Sequence, residues 1–228
     1  MGGQACVLYG GAEFSRDTDL LVLADDANLE RLTAALAALE ADVIAVPPFE
    51  RRHLEGGLAV HFRCRAPGAT GMRVDVMAKL RGLPGFETLW DRRTTIETDG
   101  WSIEVLSLRD LVTAKKTQCD KDWPMIARLV EADLALHGEA RDADAVELWL
   151  AELRTPSLLI SLARELPDAA RAAIPRRSLL THALAGDAAA LTAGLRVEED
   201  AQREADRLYW APLRRELEQI RLARRAPG

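Results

Sequence analysis

Asp17, Asp19 and Asp75 are the residues of this chain whose type and spacing could do chemistry. Asp17-Thr18-Asp19 runs straight into the apolar stretch Leu20-Leu21-Val22-Leu23, and Asp75 stands inside another, Val74-Asp75-Val76-Met77. Both stretches read as β-strands. Acids at i and i+2 of a strand project from one face, and an acid on a neighbouring strand can meet them across the sheet. Three converging carboxylates repel one another and are costly to desolvate without a counter-charge. Such hard oxygen ligands suit Mg²⁺, with Mn²⁺ as a substitute. Two ions about 3.5–4 Å apart can stabilise both the attacking and the leaving oxygen of an in-line displacement. Asp17 and Asp19 also have a plainer reading as a turn or strand-entry pair. Asp75 fits that reading less well, because an ionised acid between Val74 and Val76 needs a partner.

Gly2-Gly3 opens a predicted helix over 4–9. Glycine lets backbone approach closely, and the amides at a helix N-terminus favour phosphate. The alternative is a flexible terminus. Ser15 is either a phosphate contact or a turn hydroxyl, and Arg16 either a phosphate or acceptor contact or half of a surface ion pair.

In order, Gly2-Gly3, then Ser15-Arg16-Asp17-Thr18-Asp19-Leu20-Leu21-Val22, then Val74-Asp75-Val76 resembles a known pattern: the glycine pair, Asp-x-Asp and later single Asp of the DNA polymerase β-like nucleotidyltransferases. The resemblance covers residues 2–80. It continues more weakly through Leu106-Ser107-Leu108-Arg109-Asp110-Leu111 and Lys115-Lys116 to Lys121-Asp122. It implies that Asp17, Asp19 and Asp75 hold two Mg²⁺ ions, that Asp75 also activates an acceptor hydroxyl, and that Gly2 and Gly3 lie against the triphosphate of an NTP. Ser15, Arg16 and Lys116 are the further candidate nucleotide contacts; Lys115 and Lys116 either point one lysine at the triphosphate or form a solvated helix face. The overall plan is similar to bacterial members of toxin–antitoxin and phage-defence systems. That implies tRNA, a partner protein or a small molecule as acceptor, and a cognate antitoxin or toxin as partner. The alternative is a non-catalytic nucleotide-binding or interaction module of such a pair. Three departures stand beside the resemblance. Thr18 replaces the usual aliphatic residue, at little cost to a strand. Gln4 stands where some members place a phosphate-binding serine. In that fold a strand precedes the glycine pair, whereas this sequence opens at Met1-Gly2-Gly3, so the resemblance implies a true start further upstream.

The elements that must position these residues fall into two halves. Up to residue 106 the chain has short β-rich runs, most of its glycines and several turn signals; from 107 to 228 it is rich in Ala, Leu, Arg and Glu and reads as helical. The expected fold is α/β, a nucleotidyltransferase core with a mixed, mainly antiparallel sheet over 1–106 followed by a helical domain over 107–228. Leucines at 29, 32, 36 and 39 predict an amphipathic helix over 28–40. Alternation over 58–65 and a partner run over 72–77 predict a hairpin; 94–98 and 101–106 predict a second, turning at Asp99-Gly100. Ser107 is a candidate N-cap for a helix running through Lys116, and further helices are expected over 122–137, 142–153, 156–165, 178–185 and 198–225.

Composition narrows the remaining classes. With 228 residues, 48% hydrophobic and 29% charged, the chain can bury a core. A net charge of -6 argues against coating nucleic acid by bulk electrostatics. No apolar run approaches a membrane span, and the opening residues show no basic-then-apolar signal pattern. Cys6, Cys64 and Cys119 form no paired motif and read as ordinary packing residues, which fits a reducing cytoplasm. His53, His61, His137 and His182 share no ligand spacing. Arg51, Arg52, His53, Arg63 and Arg65 are either a basic rim for RNA or an ordinary polar strand edge.

Overall fold

The computed structural model describes residues 1–98 and 100–225. In chain order the elements are α1 (Gly2–Leu8), β1 (Asp17–Leu21), α2 (Asp26–Ala38), β2 (Asp42–Val43), α3 (Arg51–Gly56), β3 (Val60–Arg63), β4 (Arg73–Met77), α4 (Phe86–Asp91), β5 (Thr94–Thr98) and β6 (Trp101–Val105). They continue with α5 (Leu108–Ala114), α6 (Asp122–His137), α7 (Ala143–Glu152), α8 (Pro156–Glu165), α9 (Pro167–Ala173), α10 (Leu180–Ala185) and α11 (Ala188–Arg225). The protein is α/β, with a mixed sheet and a helical C-terminal part.

The sheet has the order β1-β4-β3-β2, with β1 parallel to β4 and the other pairs antiparallel. Period-2 alternation sorts its residues. Val60, Phe62, Val74 and Val76 are buried on one face with Leu36 and Leu54, and Leu20 packs against them. The leucine stripe of α2 covers that face, with Leu29, Leu32 and Leu39 beside Leu36. Asp25 starts α2 as its N-cap, its carboxylate accepting from the Asn28 amide at 2.6 Å. With one face closed by α2, the polar residues of β1, β3 and β4 must stand on the other. β5 and β6 form a separate ribbon. Gly100 in its turn has φ +82°, as an Asp-Gly turn requires, while Asp99 lies outside the described residues.

The chain gathers into two compact units. One comprises Met1–Leu8, Glu13–Ala114 and the chain from Arg207; the other comprises Tyr9–Ala12 and Lys115–Asp206. The expected division at 106/107 falls in front of α5, whereas α5 packs with the first unit. Ser107 caps it, with Asp110 N–H reaching Ser107 Oγ at 3.3 Å, and buried Asp110 receives both arms of Arg92 at 2.8 and 2.6 Å. The helix also ends at Ala114, so Lys116 is not on it. The last stretch of α11 belongs to the first unit too, since a Cβ on Gly57 would meet the Tyr209 hydroxyl and Leu213.

The second unit is helical. Buried Trp149 donates its indole N–H to Asp133 at 2.7 Å, and buried Arg177 donates to the Leu150 and Leu153 carbonyls and to Glu198. Those bonds satisfy carbonyls left open at the end of α7. Cys6 and Cys64 are buried and Cys119 is exposed, all as free thiols. Among the described residues no helix is long and apolar enough to cross a membrane.

Candidate functional site

The register of the sheet sets the three acids on one face of two neighbouring strands. β1 and β4 align Asp17 with Arg73 and Asp19 with Asp75. On the other side of β4, Asp75 is aligned with His61 and Arg73 with Arg63 of β3. Aligned residues on neighbouring strands share a face. Asp17, Asp19, Asp75, Arg73, His61 and Arg63 therefore form one polar face, opposite the face that α2 covers. Asp17 and Asp19 are half-buried, and Asp75 is buried.

Asp75 has the partner that its apolar neighbours demand. Arg73 Nε donates to Asp75 Oδ1 at 2.8 Å, and His61 Nδ1 lies 2.8 Å from the same oxygen. Arg73 Nη2 stands 3.1 Å from His61 Nδ1. Burial alone pushes the Asp75 carboxyl up, but the hydrogen bonds and charges of His61 and Arg73 outweigh it and hold the group below the usual carboxylate range. Asp75 is accordingly ionised at neutral pH. The Arg73 guanidinium is held charged chiefly by its bond to Asp75, against the cost of burial, with the charges of Asp17 and Asp19 adding to it.

This arrangement has a pH signature. A carboxyl whose folded pKa is depressed contributes stability above its unfolded pKa and loses it as the pH falls through the folded value. Cation-free protein is expected to lose the Asp75 contribution below about pH 4, while Asp75→Asn has no such contribution to lose. Thermal unfolding of both proteins across acid pH should give Tm curves that converge at the acid end; parallel curves would contradict the assignment.

Close backbone approach defines the other side of the acids. Gly2 has φ +70°, and a Cβ built on it would lie 1.9 Å from Asp19 Oδ2. The Gly3 N–H points to that oxygen at 3.4 Å, and a Cβ on Gly3 would lie 2.2 Å from Ser15 Oγ. Met1 N donates to the Asp19 carbonyl at 2.9 Å. The glycine pair is thus a packed turn against the Asp19 carboxylate, not a loose end. Ser15 Oγ donates to the Asp17 carbonyl at 3.0 Å, and Gln4 Nε2 donates to the Ser15 carbonyl at 3.1 Å. Both side chains fasten the loop that enters β1. Arg16 is exposed, its guanidinium 6.0 Å from the Phe14 ring centroid. Lys116 belongs to the second unit, where its Nζ donates to Glu152 at 2.7 Å.

Among the described residues no group of three His, Cys, Asp or Glu side chains is gathered closely enough to hold a metal ion as it stands. The chemistry of the acids nevertheless fits a hard divalent cation: three carboxylates on one face, with the backbone of a glycine turn packed directly against the Asp19 carboxylate. The two side chains that engage Asp75, Arg73 and His61, escape a search for acids alone. Their signal is the alternation Arg73-Val74-Asp75, which puts Arg73 on the face of Asp75, and the hairpin, which carries His61 to it. Compared with protein-family models, curated proteins and solved structures, the chain matches none of them.

Proposed function

We propose that this chain is a metal-dependent nucleotidyltransferase of the DNA polymerase β-like kind, transferring an NMP from an NTP to a hydroxyl acceptor with release of pyrophosphate. The observation that carries the reading is the in-register pairing of Asp19 with Asp75, with Asp17 two residues away on the same face and the glycine pair packed against Asp19 Oδ2. Asp17, Asp19 and Asp75 would hold Mg²⁺ or Mn²⁺, which when bound neutralises the charge developing on the phosphoryl oxygens. The turn at Gly2-Gly3 presents backbone to the triphosphate, and Ser15 and Gln4 fasten the loop that leads into Asp17. Asp75, ionised, accepts the proton of the acceptor hydroxyl. The acceptor oxygen forms a bond to the α-phosphorus as the bond to the pyrophosphate oxygen breaks. Positioning and charge neutralisation supply most of the rate in such a transfer. Acceptors of the class suggested by the resemblance are tRNA, a partner protein or a small hydroxyl compound.

The engagement of Asp75 by Arg73 and His61 favours a second reading, a non-catalytic nucleotide-binding or interaction module of a toxin–antitoxin pair. One experiment separates the two. The protein is incubated with each labelled NTP, Mg²⁺ or Mn²⁺, and RNA, cell proteins or small hydroxyl compounds, beside Asp17→Ala and Asp75→Ala. Label transfer lost in both variants supports the enzyme. Transfer surviving both refutes the site, and NTP binding without transfer to any acceptor supports the module.

A further inference from the structure

Arg73 is the cation bonded directly to Asp75 on the acidic face. It stands at i−2 to Asp75 on β4 and opposite Asp17 in the parallel pairing. Its Nε occupies Asp75 Oδ1, the oxygen that His61 also reaches. We propose that Arg73 is a built-in counter-ion which a divalent cation must displace from Asp75, so that the strand carrying the third acid also sets the cation affinity of the site. This rests on the reading of Asp17, Asp19 and Asp75 as a cation site.

The competition follows from what each cation needs. A guanidinium holds a carboxylate through N–H donors aimed at its lone pairs, and a divalent cation takes those same lone pairs as ligands. Two positive groups on one oxygen repel. Relief by water is limited at Asp75, whose side chain is 10% exposed, whereas that of Arg73 is 39% exposed and can swing outward without unpacking the valines beneath it. The core face of β4, Val74 and Val76, takes no part in the exchange. Without Arg73, Asp75 would keep His61 as its partner and the face would carry one positive charge fewer beside its three carboxylates, which favours an external cation more strongly.

The test is direct binding. The full chain is titrated with Mn²⁺ alone, without nucleotide, and free Mn²⁺ is followed by its paramagnetic resonance signal, for wild type, Arg73→Gln and Asp75→Asn. Arg73→Gln is expected to bind Mn²⁺ roughly tenfold more tightly, about 1.4 kcal/mol, in line with losing one competing charge-assisted hydrogen bond. Asp75→Asn is expected to weaken binding. Equal or weaker affinity in Arg73→Gln, with Asp75→Asn still weakening it, overturns the counter-ion role and leaves the cation site standing. No saturable binding by any form, or binding indifferent to Asp75→Asn, overturns both. Should Arg73→Gln not fold, Arg73→Lys is read in its place. It keeps the charge but not the planar Nε–H donor aimed at Asp75 Oδ1, so a severalfold gain is expected, and no gain overturns the proposal.

Discussion

Asp75→Asn is expected to lower the proposed nucleotidyl transfer by roughly 10³-fold, the scale of losing a positioned general base or a preorganised charge. The amide keeps the size of the carboxylate and its place in β4 but cannot take the acceptor proton, and it is a poor ligand for a hard cation. It also abandons Arg73 and His61, which both rely on Asp75 Oδ1. Loss of a hydrogen bond to a charged group costs roughly 1–3 kcal/mol, and the exposure of Arg73 keeps the value toward the lower end. Asp17→Asn is the informative companion. Asp17 is half-buried, so the same loss of rate is expected with little loss of stability. Initial rates of label transfer and denaturant midpoints measured on both variants separate the two effects. A folded Asp75→Asn protein within tenfold of the wild-type rate would remove Asp75 from the chemistry.

The contrast between the two acids shows how far the sequence reaches. Asp17-Thr18-Asp19 and Val74-Asp75-Val76 announce themselves because strand alternation and a charged residue in an apolar run are local signals. The helices over 122–137 and 156–165 were legible for a similar reason, periodicity sustained over several turns, and both occur at those bounds. The parallel alignment of Asp19 with Asp75 was not. More than fifty residues separate them, and the register is decided by which faces α2 and the β3–β4 hairpin leave free. Arg73 was visible in the same alternation, yet its role depends on that register too.

Short helices were the other blind spot. Arg51–Gly56 and Phe86–Asp91 are too brief for a period to show, and each follows prolines that read as breaks. Pro167–Ala173 is equally too short for a period to show, with its proline in the first turn. The last helix starts at Ala188, ten residues ahead of the expected 198, because its Ala-rich opening lacks contrast between faces. Asp187, whose Oδ1 accepts from the Ala190 amide at 2.9 Å, is the cap signal that marks the start.

Gly2→Ala is expected to cost roughly 10² in the rate of transfer, through position and not through charge. The added methyl would sit 1.9 Å from Asp19 Oδ2, and its φ of +70° disfavours any side chain. Something must yield. Asp19 can rotate away, which takes one of the paired acids off the common face, or the turn can retreat, which takes the backbone away from the proposed triphosphate position. Either displacement is about an ångström, and misplacement of that order is enough for a hundredfold effect. Strain in the turn is expected to lower stability by about 1–2 kcal/mol. Gly56→Ala is the control, since a Cβ there meets nothing within 4 Å and its φ is ordinary, so its rate should match wild type while its denaturant midpoint equals or modestly exceeds it, alanine being the better helix residue. The decisive comparison is Gly2→Ala with Asp19→Asn. If the methyl acts by displacing Asp19, combining the two changes should cost little more than the costlier one alone, because the site has lost the same group twice. Costs that multiply would show that the glycine turn and Asp19 act separately, and a Gly2→Ala protein with the wild-type rate would remove the turn from the site.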